Sequence, residues 1–208
     1  MPDIHNLWLF LIAAITLNLT PGPDMLYVIS RSVGQGRMAG IVSALGGAVG
    51  CLIHVVAVTL GLASLMSAVP TAYETVRYAG AVYLAYLGVR TIMARPLRLD
   101  SRPIKEASIK VVFFQGVLTS VLNPKVALFF LAFLPQFVNH SGNIPAQIVF
   151  LGLLFNTSGT IVSVMVAVTA SHVEKQLKAR FKNSDIVRWL SGGILLGLGL
   201  RLAIHERR

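Results

Sequence analysis

Long uncharged stretches alternate with short polar ones along the chain. Asp24 is the only formal charge between His5 and Ser30, and none occurs from Met38 to Tyr73, Tyr78 to Val89 or Trp189 to Leu200. From Val111 to Val173 there is only Lys125, in a run divided by a polar turn from Asn139 to Pro145. A membrane-crossing helix needs about 20 apolar residues. The pattern predicts six such helices, over about 5–30, 39–66, 71–93, 111–136, 144–171 and 186–204.

Composition supports the membrane reading. Hydrophobic residues fill 55% of the 208 positions, charged ones 12%, and the mean hydropathy is +0.72. A soluble domain carries about 25% charged residues, so this chain could not cover itself in water. Disorder, collagen, coiled coil and a disulfide scaffold are excluded on the same ground. The single cysteine, Cys51, offers no thiolate cluster for a soft metal. Met1 to Trp8 lacks Lys and Arg, so the first apolar run is expected to be a retained helix and not a cleaved signal peptide.

The net charge of +10 would suggest nucleic acid in a soluble protein. Here the basic residues lie between apolar runs, where they set topology and meet anionic lipid. Loops 1–2, 3–4 and 5–6 with their helix ends hold thirteen Lys and Arg, from Arg31 and Arg37 to Arg188. The other side holds four, Arg77, Arg201, Arg207 and Arg208, of which the first two lie close enough to helix ends to snorkel. The bias predicts those three loops in the cytoplasm and both termini in the periplasm. In loop 5–6, Val173, Leu177 and Phe181 recur among basic residues. That segment either lies at the interface or extends the fifth helix.

The two halves resemble each other. Phe10–Ser30 aligns with Phe113–Phe133 at an offset of 103, so that Thr16 meets Thr119 and Pro21 meets Pro124. Ala44-Leu45-Gly46 meets Phe150-Leu151-Gly152 at 106, and Leu87-Gly88-Val89-Arg90 meets Leu198-Gly199-Leu200-Arg201 at 111. Three helices per copy is an odd number, so the second copy enters the membrane from the opposite face. The expected fold is an all-α membrane protein of two inverted three-helix repeats in one domain, 1–208. The repeats cover about 5–93 and about 111–204, joined by a cytoplasmic linker at about 94–110. Many secondary transporters are built this way, with substrate sites near the midplane at interrupted helices.

Helix 1 is interrupted by Thr20-Pro21-Gly22-Pro23-Asp24 and helix 4, at the equivalent place, by Asn123-Pro124-Lys125. Proline removes a donor and blocks a carbonyl one turn back. The freed backbone groups are tolerated in lipid only when buried in protein or lining a cavity. Asp24 and Lys125 are the only formal charges deep in the spans, where each costs about 2.5–3.5 kcal/mol to insert. A helix start favours the anion Asp24 and disfavours the cation Lys125. Lys125 is therefore expected to meet an anion, either Asp24 in a fixed pair or a substrate carboxylate.

One anion, one cation and free backbone dipoles suit a zwitterion. The expected substrate site comprises Thr20, Pro21, Gly22, Asp24, Asn123 and Lys125. In it Lys125 and the amides after Asn123 hold a carboxylate, and Asp24 holds an ammonium or a proton. His54 either relays protons, since histidine titrates near neutrality, or bonds a neighbouring helix. Asn18, Asn156, Thr157, Ser158 and Thr160 line a path or bond between helices. Gly46-x-x-x-Gly50, Ser43-x-x-x-Gly47 and Gly193-x-x-x-Gly197 are small-residue faces suited to close packing, within the subunit or in a homodimer. No P-loop, metal-ligand spacing, dinucleotide fingerprint or nucleophile triad occurs, so neither an enzyme nor a cofactor is expected.

These residues resemble the LysE/RhtB family of bacterial amino-acid exporters over nearly the whole chain. The carriers are Leu19-Thr20-Pro21-Gly22-Pro23, Arg31-Ser32 with Gly34-Gln35-Gly36-Arg37, Gly46, Gly50 and His54, Tyr78-Ala79-Gly80-Ala81-Val82-Tyr83-Leu84, and Asn123-Pro124-Lys125 with Leu134-Pro135-Gln136-Phe137. The resemblance implies a proton-driven, multi-pass inner-membrane exporter of amino acids or close derivatives. Some members carry an acid in the fifth helix, where this chain has Ser158-Gly159, and others a neutral residue at the position of Asp24. A lone intramembrane acid argues against a dibasic substrate. A passive facilitator and a membrane scaffold subunit remain the competing classes.

Overall fold

The computed structural model describes residues 7–68, 70–93, 106–139, 142–172 and 185–204, all helix, turn or short connection, with no strand among them. Most of the 94–110 linker, the basic amphipathic pattern at 173–181 and the extreme termini lie outside the described residues. So do the side chains of Arg77 and Arg201.

Helices occur in all six expected places. The first is two pieces, α1 (Leu7–Leu19) and α2 (Pro23–Gln35), bent by 48°. Then come α3 (Arg37–Ala68) and α4 (Pro70–Met93). The fourth is again divided, into α5 (Ile109–Val121) and α6 (Pro124–Leu128), bent by 44°. From α6 the chain continues through a π-helical turn at Phe129–Phe133 and a 3-10 turn at Leu134–Phe137. Finally come α7 (Ile144–His172) and α8 (Asp185–Ile204).

The first helix runs five residues beyond its expected end at residue 30, because a single residue, Gly36, suffices to turn the chain into α3. Gly36 has φ +89°, a conformation that side-chain-bearing residues seldom adopt. Arg31 thus sits within α2, buried, and not at a loop edge. The irregular turns after α6 carry Pro135, which lacks the N–H a regular helix requires there.

By length and hydropathy, α3 over Arg37–Gly61 and α7 over Ile144–Ala170 can each cross a membrane. The count rises to four when each bent pair is one span. In α4 the apolar part, Ala81–Met93, is about 20 Å long, short of the roughly 30 Å hydrocarbon layer. The outer surface is apolar: Leu60, Val82, Phe114 and Leu190 are each more than 60% exposed. Soluble monomers rarely expose large apolar side chains in such number, whereas a lipid-facing surface favours them.

The helices before the 94–110 stretch pack mainly on those after it: α3 lies against α5 and α7, α4 against α8, and α1 and α2 against α7. Glycines allow the closest approaches. A Cβ at Gly50 would lie 2.6 Å from the Val117 carbonyl oxygen, and one at Gly46 would strike the Phe113 carbonyl. The main core gathers Phe10, Phe129, Phe130, Phe133, Phe137 and Phe155 around the irregular turns, with Phe129 stacked on Phe155 at 4.4 Å. Buried Gln147 pins the turn before α7, accepting from the Asn139 N–H at 2.7 Å and donating to its carbonyl at 2.9 Å.

Candidate functional site

Both helix breaks face one another. In the first, Thr20 is a bend, Gly22 is extended and α2 restarts at Pro23, which places Asp24 in its first turn. In the second, Asn123 caps α6: its side-chain oxygen accepts from the Lys125 N–H at 3.0 Å. A helix end leaves N–H or C=O groups without intrahelical partners, so each break must find donors and acceptors elsewhere.

The first break finds them in the second, and a side-chain bond joins the two. Lys125 Nζ donates to the Leu17 and Thr20 carbonyls, both at 3.0 Å, at the C-terminal end of α1. Asn123 Nδ2 donates to Asp24 Oδ2 at 2.6 Å. Of the two anions expected for Lys125, Asp24 is not its hydrogen-bond partner: the arrangement is crossed, with Asn123 bonded to Asp24 and two carbonyls bonded to Lys125. A cation at the start of α6 is unfavourable by itself, but the same ammonium sits at the negative end of α1. Gly22 makes the reach possible, since a Cβ there would lie 3.2 Å from Lys125 Nζ.

A cavity of about 60 Å³ opens beside this crossing. Of the expected site residues, Asp24 and Lys125 line it; Thr20, Pro21, Gly22, Asn123 and His54 do not. Thr20 is buried and its hydroxyl donates to the Thr16 carbonyl, while Pro21 is exposed. Asp24 Oδ1 is buried at the cavity and has no hydrogen-bond partner among the described residues. His54 bonds across to α5, with Nε2 3.2 Å from the Ser120 carbonyl, and its ring stacks on Phe130 at 6.1 Å.

Polar side chains from α7 and α1 complete the walls. Asn18, Asn156 and Thr160 line the cavity. Asn18 also joins two helices, donating to the Phe155 carbonyl at 3.3 Å and to Ser158 Oγ at 3.0 Å. Thr157 is exposed. The rest of the lining mixes small and apolar residues, among them Val28, Ala44, Gly47, Ala48, Val126 and Phe155, with the hydroxyl-bearing Tyr27, Ser43, Thr119, Ser120 and Ser163. Among the described residues no three His, Cys, Asp or Glu side chains cluster as metal ligands would.

Sequence reasoning missed a second polar group one turn along α2. Tyr27 lines the cavity, and its hydroxyl lies 3.0 Å from both the Val112 carbonyl and Gln115 Oε1. Buried Arg31 donates to Tyr27 Oη at 3.3 Å, Gln115 Oε1 at 2.7 Å and Gln35 Oε1 at 3.1 Å. The i, i+4 spacing of Tyr27, Arg31 and Gln35 is visible in the sequence. Gln115 is not, because its place depends on how α5 meets α2.

The family described as LysE type translocator matches residues 15–206. Among curated proteins, the chain is 28% identical to an uncharacterized membrane protein, YrhP, of Bacillus subtilis, over 97% of this chain and all of that one. It is 35% identical to a leucine efflux protein of Salmonella typhimurium over 65% of each chain. A leucine efflux protein of Enterobacter is 26% identical over 96% of each. No solved structure matches the chain.

Proposed function

The chain belongs to the LysE type translocators, and from that premise we propose that it exports neutral amino acids across the bacterial inner membrane in exchange for protons. Six helices arranged as inverted repeats carry the site at their two elbows, with the termini in the periplasm. The α3–α7, α4–α8 and broken-helix contacts support that arrangement, because each couples a helix to its counterpart or to a counterpart's neighbour.

The observation that carries the reading is Asp24 Oδ1, a buried carboxylate oxygen at a cavity with no donor among the described residues. A buried acceptor without a donor costs about 1–3 kcal/mol. A substrate ammonium or a proton supplies the missing donor, and the two cannot occupy the same oxygen together. Exclusive occupancy couples proton movement one way to substrate movement the other. Lys125 has three N–H groups and uses two on carbonyls. The third is available to a substrate carboxylate. The leucine efflux relatives, and the small or apolar Ala44, Gly47, Ala48, Val126 and Phe155 in the lining, favour a neutral aliphatic side chain.

The test is purified protein in liposomes with radiolabelled leucine and an imposed pH gradient. Accumulation against a leucine gradient that collapses on adding an uncoupler is expected. Downhill flux indifferent to the uncoupler would replace the antiporter with a facilitator, and absence of flux would leave a scaffold.

A further inference from the structure

We infer that Gly47, with Ala44 and Ala48 beside it on α3, forms the subsite for the substrate's side chain and sets the largest side chain the protein carries. The inference rests on the proposed exporter function and adds a specificity residue to it.

The glycines of α3 differ in what their lack of a side chain accomplishes. Gly40, Gly46 and Gly50 are jammed. A Cβ at Gly40 would strike Ser32 Oγ, one at Gly46 the Phe113 carbonyl, and one at Gly50 would lie 2.6 Å from the Val117 carbonyl oxygen. Close helix packing explains those three completely. Gly47 lines the cavity, yet a Cβ built on it meets no atom within 4 Å. Packing gives no reason for glycine there; what glycine provides is space.

That space has a defined chemistry. The α3 residues on the cavity are Ser43, Ala44, Gly47, Ala48 and Cys51, at successive turns of one face. None is charged and none is larger than cysteine. The Ser43 hydroxyl is turned back onto its own helix, donating to the Gly40 carbonyl at 2.7 Å. Asp24 and Lys125, the charged groups on the cavity, come from α2 and α6 instead. A zwitterion whose ammonium and carboxylate meet those two finds this small, uncharged α3 wall for its side chain, opposite the more polar lining that Thr119 of α5 and Asn156 and Thr160 of α7 supply. An apolar pocket discriminates by about tenfold or more per methylene added or removed, so bulk at residue 47 should act on size and not on zwitterion recognition.

The experiment compares leucine and alanine transport by the full-length protein and its Gly47→Leu variant in liposomes. Leucine transport should fall about tenfold or more relative to alanine transport. In a variant that keeps its native size-exclusion profile, equal loss of both substrates, or no change in either, overturns the inference. Gly47→Cys asks the same question without bulk. Methyl methanethiosulfonate should modify residue 47, read by peptide mass spectrometry, and leucine should slow that modification. Modification unaffected by leucine overturns the subsite whatever the Leu variant does. A parent protein that carries neither amino acid overturns the exporter reading itself, and the subsite with it.

Discussion

Asn123 Nδ2 donates to Asp24 Oδ2 at 2.6 Å, joining residues 99 positions apart in the sequence. The same carboxamide accepts the Lys125 N–H through its oxygen. Asn123 thus orients the acid of one break while capping the helix that carries the base of the other. Asn123→Ala removes both bonds and should destabilise the protein by about 1–3 kcal/mol while lowering transport. Asn123→Asp keeps the cap but sets a second carboxylate against Asp24. It should lose transport more completely than its thermal midpoint in detergent would suggest. A fully active Asn123→Asp protein would show that the Asp24 contact is incidental.

Lys125→Met preserves length and most of the volume but takes the ammonium from the Thr20 carbonyl and from the Leu17 carbonyl, the second of which still accepts the Thr20 N–H at 3.1 Å. Leaving the buried Thr20 carbonyl without a donor costs about 1–3 kcal/mol. The expected outcome is a lowered midpoint in fluorescence-detected size exclusion together with loss of leucine transport. Retained stability would show that Lys125 serves only the substrate.

Gly22→Val should reproduce part of that loss without touching the lysine, since even a Cβ at Gly22 comes within 3.2 Å of Lys125 Nζ. Gly22→Ala should be milder, because the flexible end of the lysine can shift by a few tenths of an ångström. A graded series Gly, Ala, Val in transport is the signature of this contact; indifference to size would sever it from function.

Asp24→Asn keeps an acceptor for Asn123 and removes the titrating group. It should abolish accumulation driven by a pH gradient, and any residual downhill flux should ignore an uncoupler. His54→Gln tests the other candidate for proton traffic. Its ring is off the cavity and bonded to Ser120, so gradient-driven transport should survive the substitution. Loss of uncoupler sensitivity in His54→Gln would reinstate the relay.

The helix breaks were legible because proline announces itself: Pro21, Pro23 and Pro124 cannot continue a hydrogen-bond ladder wherever they fall. The cap at Asn123 and the first-turn place of Asp24 follow from the same residues. Which groups answer the freed carbonyls was not legible. A dipole argument confined to α6 sends Lys125 toward an anion, but α1 supplies the negative end from outside that local frame. Small-residue spacing is similarly ambiguous. Gly46-x-x-x-Gly50 is a packing face, whereas Gly47 in Ser43-x-x-x-Gly47, and Gly193 and Gly197, would accept a Cβ without meeting any atom within 4 Å. The sequence shows the same spacing in each; Gly46 and Gly50 differ because α5 packs directly on them.

Because Lys125 closes carbonyls of the first break and the Asn123 amide holds Asp24, neither the stretch before residue 94 nor the one after residue 110 is chemically finished by itself. Two polypeptides severed within the expected linker at about 94–110 ought to rescue one another when co-expressed. Either one made singly would enter the bilayer with raw polar ends and become a substrate for quality-control proteases.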